Sequence, residues 1–404
     1  MKRHSRGDLF VSGETAMSAN MIGSLRPAIG ELKDSLIRRI SDTAMGRDDV
    51  IPLWFGEPDT PTPEFINRAA TAALAAGHTF YMPNRGLPEL RAALAGYMTR
   101  LHGIDIGEEC LTVTNSGMHG IMLVMQALID PGDNVIVPMP LWPNCAETVH
   151  IMGGEARRVP MALGNSGWRL DLEQVLDACD GRTKAVFINS PSNPTGWMMP
   201  AEDQRALLDA CRERGIYIIA DEVYVRIVYD QPRAPSFVDI AEAEDRVIVV
   251  NSFSKSWLMT GWRLGWLTHP PELGHIFAVL NEFNLAGPAT FVQHAGVVAV
   301  EQGEELVSEI VDRYRANRDM IHQRLAALPR VRTTRPPGAF YAFFAVEGVE
   351  DSFAFAAELV DRVGVGLAPG RAFGPAGEGY LRLCFAARTE TLSAALERLV
   401  PALE

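Results

Sequence analysis

Only four of the 404 residues are lysines, Lys2, Lys33, Lys184 and Lys255, against 33 arginines. Chemistry that needs a nucleophilic amine therefore has few candidates. Cysteine is nearly as scarce: Cys110, Cys145, Cys179, Cys211 and Cys384 form no CxxC pair. That excludes a disulfide scaffold and leaves metal or dithiol motifs unsupported; small thiols in a reducing compartment are the plainer reading. No apolar run approaches the roughly 18 residues of a membrane-spanning helix, and residues 1–23 lack the apolar stretch of a secretory signal. Those 23 residues read as a flexible arm. The formal net charge of −13 argues against a nucleic-acid or anionic-lipid surface. HExxH, GxSxG, GxGxxG and the P-loop pattern are all absent, so the chemistries they carry have no foothold.

What is present is an ordinary apolar content, 47%, on a chain long enough for a large core. Four short β-branched runs, 134–138, 184–188, 216–220 and 246–250, are apolar beyond their opening residue rather than alternating. Such runs suit strands of a parallel sheet covered on both faces. A helical pattern over 201–214 lies between two of them, which is the alternation of an α/β fold. Helical periodicity also marks 24–44, 63–76 and 87–101, and the run VIPLWF reads as a strand. From about residue 305 the pattern changes to a long helix, an antiparallel-type segment around GAFYAFFAV, and two further helices. The expected organisation is a large domain over 56–294 and a smaller α+β domain built from 24–55 and 295–404.

Ligands of doubly wound sheets bind beyond the carboxyl ends of the strands. Three successive runs end in functional residues there: NSPSNPTG with Asn189 and Asn193, then Asp221-Glu222-Val223-Tyr224, then NSFSKSWLMTGWR with Ser252, Lys255 and Arg263. Pyridoxal phosphate needs this combination: an amine for its aldehyde, an acid for its pyridinium nitrogen, and an anion cradle at a helix start. VTNSGMHGIMLVMQALI supplies a strand, a turn at Ser116-Gly117 and a helix near Met118, and PLWPN offers the Trp142 ring as a plate.

From about Ser24 to the C-terminus the chain resembles the class I/II pyridoxal-phosphate aminotransferases of fold type I. The resemblance rests on GEPDTPTP, YMPNRGLPELR, TNSGMHG, DPGDNVIVPMPLWPN, INSPSNPTG, ADEVY, SFSKSWLMTGWRLGW, PPGAFYAFF and GYLRLCFA, in that order. It implies a large domain with a seven-stranded, mostly parallel sheet. It implies Lys255 as Schiff-base lysine and proton shuttle, Asp221 as pyridinium partner, and Tyr224 with Asn193 at the ring oxygen. Read alone, Asn193 in SNPTG fits turn chemistry, and Asp221 fits a helix cap. Ser252 and Arg263, with the backbone of Ser116, Gly117 and Met118, correspond to the phosphate ligands, and Trp142 to the stacking ring. Arg382 corresponds to the clamp on the substrate carboxylate, and Gly56 to a close backbone approach beside it. Tyr81, otherwise an ordinary aromatic before a turn, corresponds to a tyrosine reaching the neighbouring subunit's phosphate. The resemblance thus implies a cytoplasmic homodimer with shared active sites, and no metal, nucleic acid or membrane.

The implied activity is ping-pong transfer of an amino group from an L-amino acid to a 2-oxo acid; a β-eliminating C–S lyase is the alternative on the same scaffold. One departure stands out. Relatives that prefer dicarboxylic substrates often carry a lysine where this chain has Met118, which tilts the reading toward neutral donors. Arg85 and Arg371 stay open as distal-carboxylate partners.

Overall fold

The computed structural model describes residues 23–164 and 167–404. The arm expected over 1–23 lies, apart from Gly23, outside the described residues. The described residues up to Lys33 belong to one unit, with a short helix at Pro27–Gly30; Asp34–Glu404 form a second unit that holds everything below. The single helix expected over 24–44 is instead two pieces. The second, α1, spans Leu36–Asp42 and starts where Ser35 Oγ accepts from the Arg38 amide. The N-cap competes with helix continuation, and periodicity alone does not see it.

Seven strands form the central sheet: β1 (Leu111–Thr114), β2 (Asn134–Met139), β3 (Glu155–Pro160), β4 (Thr183–Asn189), β5 (Tyr217–Asp221), β6 (Val247–Ser252) and β7 (Gly265–Thr268). Their order is β1-β7-β6-β5-β4-β2-β3, with β7 antiparallel to both neighbours and the remaining pairs parallel. The four apolar runs are β2, β4, β5 and β6, and their central residues are sealed on both faces, as continuous apolar strands require. Register then lines up the carboxyl ends. Asn189 pairs with Asp221 across β4–β5, and Ser252 pairs with Gly265 across β6–β7.

A second sheet has the order β8-β9-β11-β10, from β8 (Val331–Arg332), β9 (Tyr341–Val346), β10 (Ala368–Pro369) and β11 (Tyr380–Cys384). Phe343 and Ala368 flank Arg382 in its register. The VIPLWF strand shortens to Ile51–Pro52, which pairs in parallel with Val365–Gly366. Helix α1 packs on the helix Ser352–Val363 and on β10. The other helices expected from periodicity fall at Glu64–Ala75, Pro88–His102, Ala201–Arg214 and Glu304–Ala326. Among the described residues no helix is long and apolar enough to cross a membrane.

One glycine fixes how the sheet meets its ligand loop. A Cβ on Gly265 would lie 2.7 Å from Asn251 O, Gly117 N and Ser116 C. Strand β7 thus passes directly beneath the Ser116-Gly117 turn, closer than any side chain allows. Gly265→Ala is expected to cost about 1–3 kcal/mol of unfolding free energy, as overpacking of a rigid site does; an unchanged urea midpoint would contradict that close fit.

Candidate active site

Of the thirteen residues to which the resemblance assigns a role, twelve line one pocket of about 270 Å³, together with Asn189: Gly56, Ser116, Gly117, Met118, Trp142, Asn193, Asp221, Tyr224, Ser252, Lys255, Arg263 and Arg382. Sequence separation between them reaches more than 300 residues. The sheet brings together the strand-end residues, and β11 of the second sheet supplies Arg382.

Helix α2 (Gly117–Leu128) starts at the pocket, with Ser116 as its cap accepting from the His119 amide at 3.0 Å. Its free amides and positive dipole end face the cavity, a ready anion site. Beside it Ser252 caps the short helix Phe253–Ser256, accepting from Ser254 N at 3.1 Å and donating to Ser254 Oγ at 2.9 Å. Arg263 reaches the same corner from a left-handed backbone position, φ 54°. Its guanidinium donates to Thr260 O at 2.5 Å, and no carboxylate pairs with it among the described residues. An arginine held this way suits a phosphate rather than a surface ion pair.

Asp221 ends β5 and is 5% exposed. Its carboxylate accepts one long bond from Val223 N, 3.4 Å. Burial pushes the carboxyl up to about 7, partly offset by that amide and by Lys255. A cation placed against it would restore the charged form. Asn189 braces the turn, donating to Asp221 O at 3.1 Å and accepting from Asn193 N at 2.7 Å.

Lys255 is half-buried, and its ammonium donates to Gly56 O at 2.7 Å. Desolvation brings its pKa down to about 8, with Arg382 and Arg263 adding repulsion and Glu57 opposing. No carboxylate salt bridge holds it among the described residues, so its amine is available at mildly alkaline pH. Gly56 must be glycine for a reason the sequence did not show: a Cβ there would collide with the Tyr341 hydroxyl.

Arg382 is 2% exposed and lies between the rings of Tyr341 and Phe373, at 4.5 and 4.8 Å from their centroids. It donates to Asn193 Oδ1 at 2.9 Å and to Trp54 O, while its Nε has no partner among the described residues. A buried guanidinium without a carboxylate is costly, so this one is built to receive an anion. Because Asn193 gives its oxygen to Arg382, its Nδ2 donor remains for the pocket.

Tyr81 is the exception. It is 89% exposed, beside Phe80 at 79%, and does not line this chain's pocket. Sequence reasoning gave no role to Ile37, Phe55, Ile121, Val223, Ser254 or Tyr341, all of which line it. Tyr341 and Ser254 sat inside recognised motifs; Ile37 carried no signal beyond helical periodicity. His119 accepts from Asn115 N at 3.2 Å, and burial lowers its pKa to about 4. Arg85 is spent on the carbonyls of Glu109 and Leu111, at 2.6 and 2.8 Å, and Arg371 faces Glu378 at 3.7 Å. Neither reaches the pocket.

Comparison with known proteins agrees with this geometry. Residues 48–399 match the family model "Aminotransferase class I and II". An aspartate aminotransferase of Pyrococcus horikoshii is 35% identical over 92% of this chain and 95% of its own. A probable aspartate/prephenate aminotransferase of Aquifex aeolicus is 35% identical over 88% and 91%. The solved aspartate aminotransferase of Thermotoga maritima superposes with a TM-score of 0.88 at 34% identity, covering 94% of this chain and 100% of that one. The chain belongs to the class I and II aminotransferases. It is a pyridoxal-phosphate-dependent transferase of fold type I, acting on amino acids and 2-oxo acids.

The depressed Lys255 pKa has a direct consequence. Desolvation disfavours the ammonium, so the neutral amine appears at lower pH than in water. In cofactor-free protein, labelling of Lys255 by an amine-directed reagent should be half-maximal near pH 8, against about 10.4 for an unperturbed lysine. A midpoint above pH 10 would contradict the desolvated setting.

Proposed function

We propose that this pocket runs ping-pong transamination with the residue roles that follow. The observation that supports the reading most is Arg382, a buried guanidinium with a free Nε and no carboxylate partner among the described residues, opening on the same cavity as Lys255 and Asp221. The donor set fits pyridoxal phosphate: an amine without a salt bridge, a buried acid, and an anion corner at a helix start. When bound, the cofactor supplies an aldehyde that takes up the amino group and a ring that draws electrons from the α-carbon.

The chain's own groups do the rest. Asp221 holds a negative charge against the ring nitrogen, and the low dielectric that raises its pKa when alone strengthens that pairing. Tyr224 Oη and Asn193 Nδ2 donate to the ring oxygen. The amides of α2, with Ser252 and Arg263, hold the phosphate, and Trp142 covers one ring face. Lys255 Nζ would hold the cofactor through its aldehyde carbon and, as a free amine, would carry the proton to and from the substrate α-carbon. Arg382 holds the substrate carboxylate, which fixes the α-carbon within reach of Nζ.

The enzyme works in this reading as a cytoplasmic homodimer. Phe80, Tyr81, Phe283 and Leu285 are exposed at 79, 89, 80 and 53%, more apolar surface than a free chain is expected to show there. A second copy covers them, and its Tyr81 completes the phosphate corner. The domain division at 56–294 against 24–55 with 295–404 belongs to the same reading; the pairing of Ile51–Pro52 with Val365–Gly366 supports it.

The preferred donors have apolar side chains. The pocket's cations are Lys255, Arg263 and Arg382, each already assigned, and Ile37, Phe55 and Met118 share its lining. A distal carboxylate would be desolvated there without a partner. Steady-state assays with pyruvate and 2-oxoglutarate as acceptors should give kcat/KM for aliphatic or aromatic donors about tenfold or more above aspartate. Equal or higher efficiency with aspartate would overturn the preference, and no transfer from any donor would overturn the reading itself.

A further inference from the structure

Tyr341 lies on β9 in the second sheet and is completely buried. Its hydroxyl is 2.7 Å from the hydroxyl of Tyr224, and both side chains line the pocket. No other hydrogen-bond partner stands beside either hydroxyl among the described residues. The contact is built from several directions. Gly56 leaves the space that the Tyr341 hydroxyl fills, and the same residue's carbonyl accepts from Lys255. The Tyr341 ring stacks under Arg382, and its edge meets Tyr224 at 5.8 Å between centroids, interplanar angle 82°. One side chain therefore touches the carboxylate clamp, the lysine's acceptor residue and the phenol beside the ring site.

Hydrogen accounting leaves either hydroxyl able to donate, so what faces the pair sets the direction. Two phenols bring two hydrogens, and the pair consumes one. The other stays on whichever oxygen accepts. Burial holds both phenols above the ordinary tyrosine range, so neither hydrogen is lost near neutral pH. We propose that Tyr341 is a positioning residue: with cofactor present it donates to Tyr224 Oη, so that Tyr224 turns its own hydrogen toward the cofactor's ring oxygen. This rests on the reading that Tyr224 meets that oxygen. The second bond also polarises the first, since hydrogen bonds in series strengthen one another at low dielectric. Charge on the ring oxygen is then favoured, and the visible band of the holoenzyme titrates at lower pH than it would without Tyr341.

The isosteric variant Tyr341→Phe keeps the ring under Arg382 and removes only the donor. Its holoenzyme should titrate its visible band with a midpoint about 0.5–1 pH unit higher, consistent with loss of one buried hydrogen bond. The cofactor dissociation constant should rise about 3–10-fold, kcat should fall by a similar factor, and KM for the amino donor should stay within about twofold. The cycle with Tyr224→Phe separates the claims. If Tyr341 acts through Tyr224, adding Tyr341→Phe to Tyr224→Phe moves the midpoint no further. Additive shifts, or an unmoved midpoint in Tyr341→Phe alongside a shifted one in Tyr224→Phe, would overturn the Tyr341 role alone. An unmoved midpoint in Tyr224→Phe would instead remove the Tyr224 reading beneath it. Should Tyr341→Phe not yield holoenzyme, 3-fluorotyrosine at position 341 keeps the ring and makes the hydroxyl a stronger donor; the midpoint should then fall, and a rise would overturn the proposal.

Discussion

A guanidinium buried to 2% exposure, with no carboxylate beside it among the described residues, is the constraint around which the pocket is organised. Taking a charge out of water without a partner costs several kcal/mol. The chain moderates this by giving Arg382 two oxygen acceptors, Asn193 Oδ1 and Trp54 O, and two aromatic faces. None of these neutralises it. Burial lowers the Lys255 pKa, and the positive charge that remains on Arg382 adds a smaller repulsion, so the amine is neutral at a lower pH than usual. Asp221 is displaced in the opposite sense, its carboxyl raised by burial. Three groups thus sit away from their ordinary charge balance in one cavity; under the proposed roles, an anionic amino acid with an aldehyde- and pyridinium-bearing cofactor would correct all three together.

The sheet makes that imbalance tolerable. Parallel strands sealed on both faces carry no polar demand of their own beyond the ladder, so polar residues collect where the strands stop. Asn189, Asp221 and Ser252 are the final residues of β4, β5 and β6; register pairs Asn189 with Asp221, and β6 runs two residues past Val250, the partner of Asp221, to reach Ser252. Close packing under the Ser116-Gly117 turn, enforced at Gly265, brings the α2 amides to the same edge. Stability invested in the apolar strands holds a polar edge that would not assemble alone.

Much of this was legible in the sequence because the signals were local. Continuous apolar runs named the parallel strands, and the residues following each run named the pocket's floor. Lys255 was readable by scarcity: among four lysines it alone follows a buried strand. What escaped depended on distant pairing. Tyr341 looks like one aromatic in a row of them, and only the approach of β9 to Gly56 and Tyr224 gives its hydroxyl a partner. Ile37 reads as helix periodicity, and nothing local says that α1 reaches the cavity. The break of the 24–44 helix was missed because apolar spacing continues across it while Ser35 restarts the hydrogen bonding. Tyr81 is exposed and does not line the pocket, so the geometry of one chain says nothing for the role the resemblance implies.

The central claim is that Lys255 is the amine to which the cofactor is joined. Borohydride reduction of the purified holoenzyme, followed by peptide mapping, tests it directly. The account predicts that the visible band bleaches and that one pyridoxyl group per chain appears on Lys255. A label on Lys33 or Lys184, or bleaching with no covalent adduct, would contradict it.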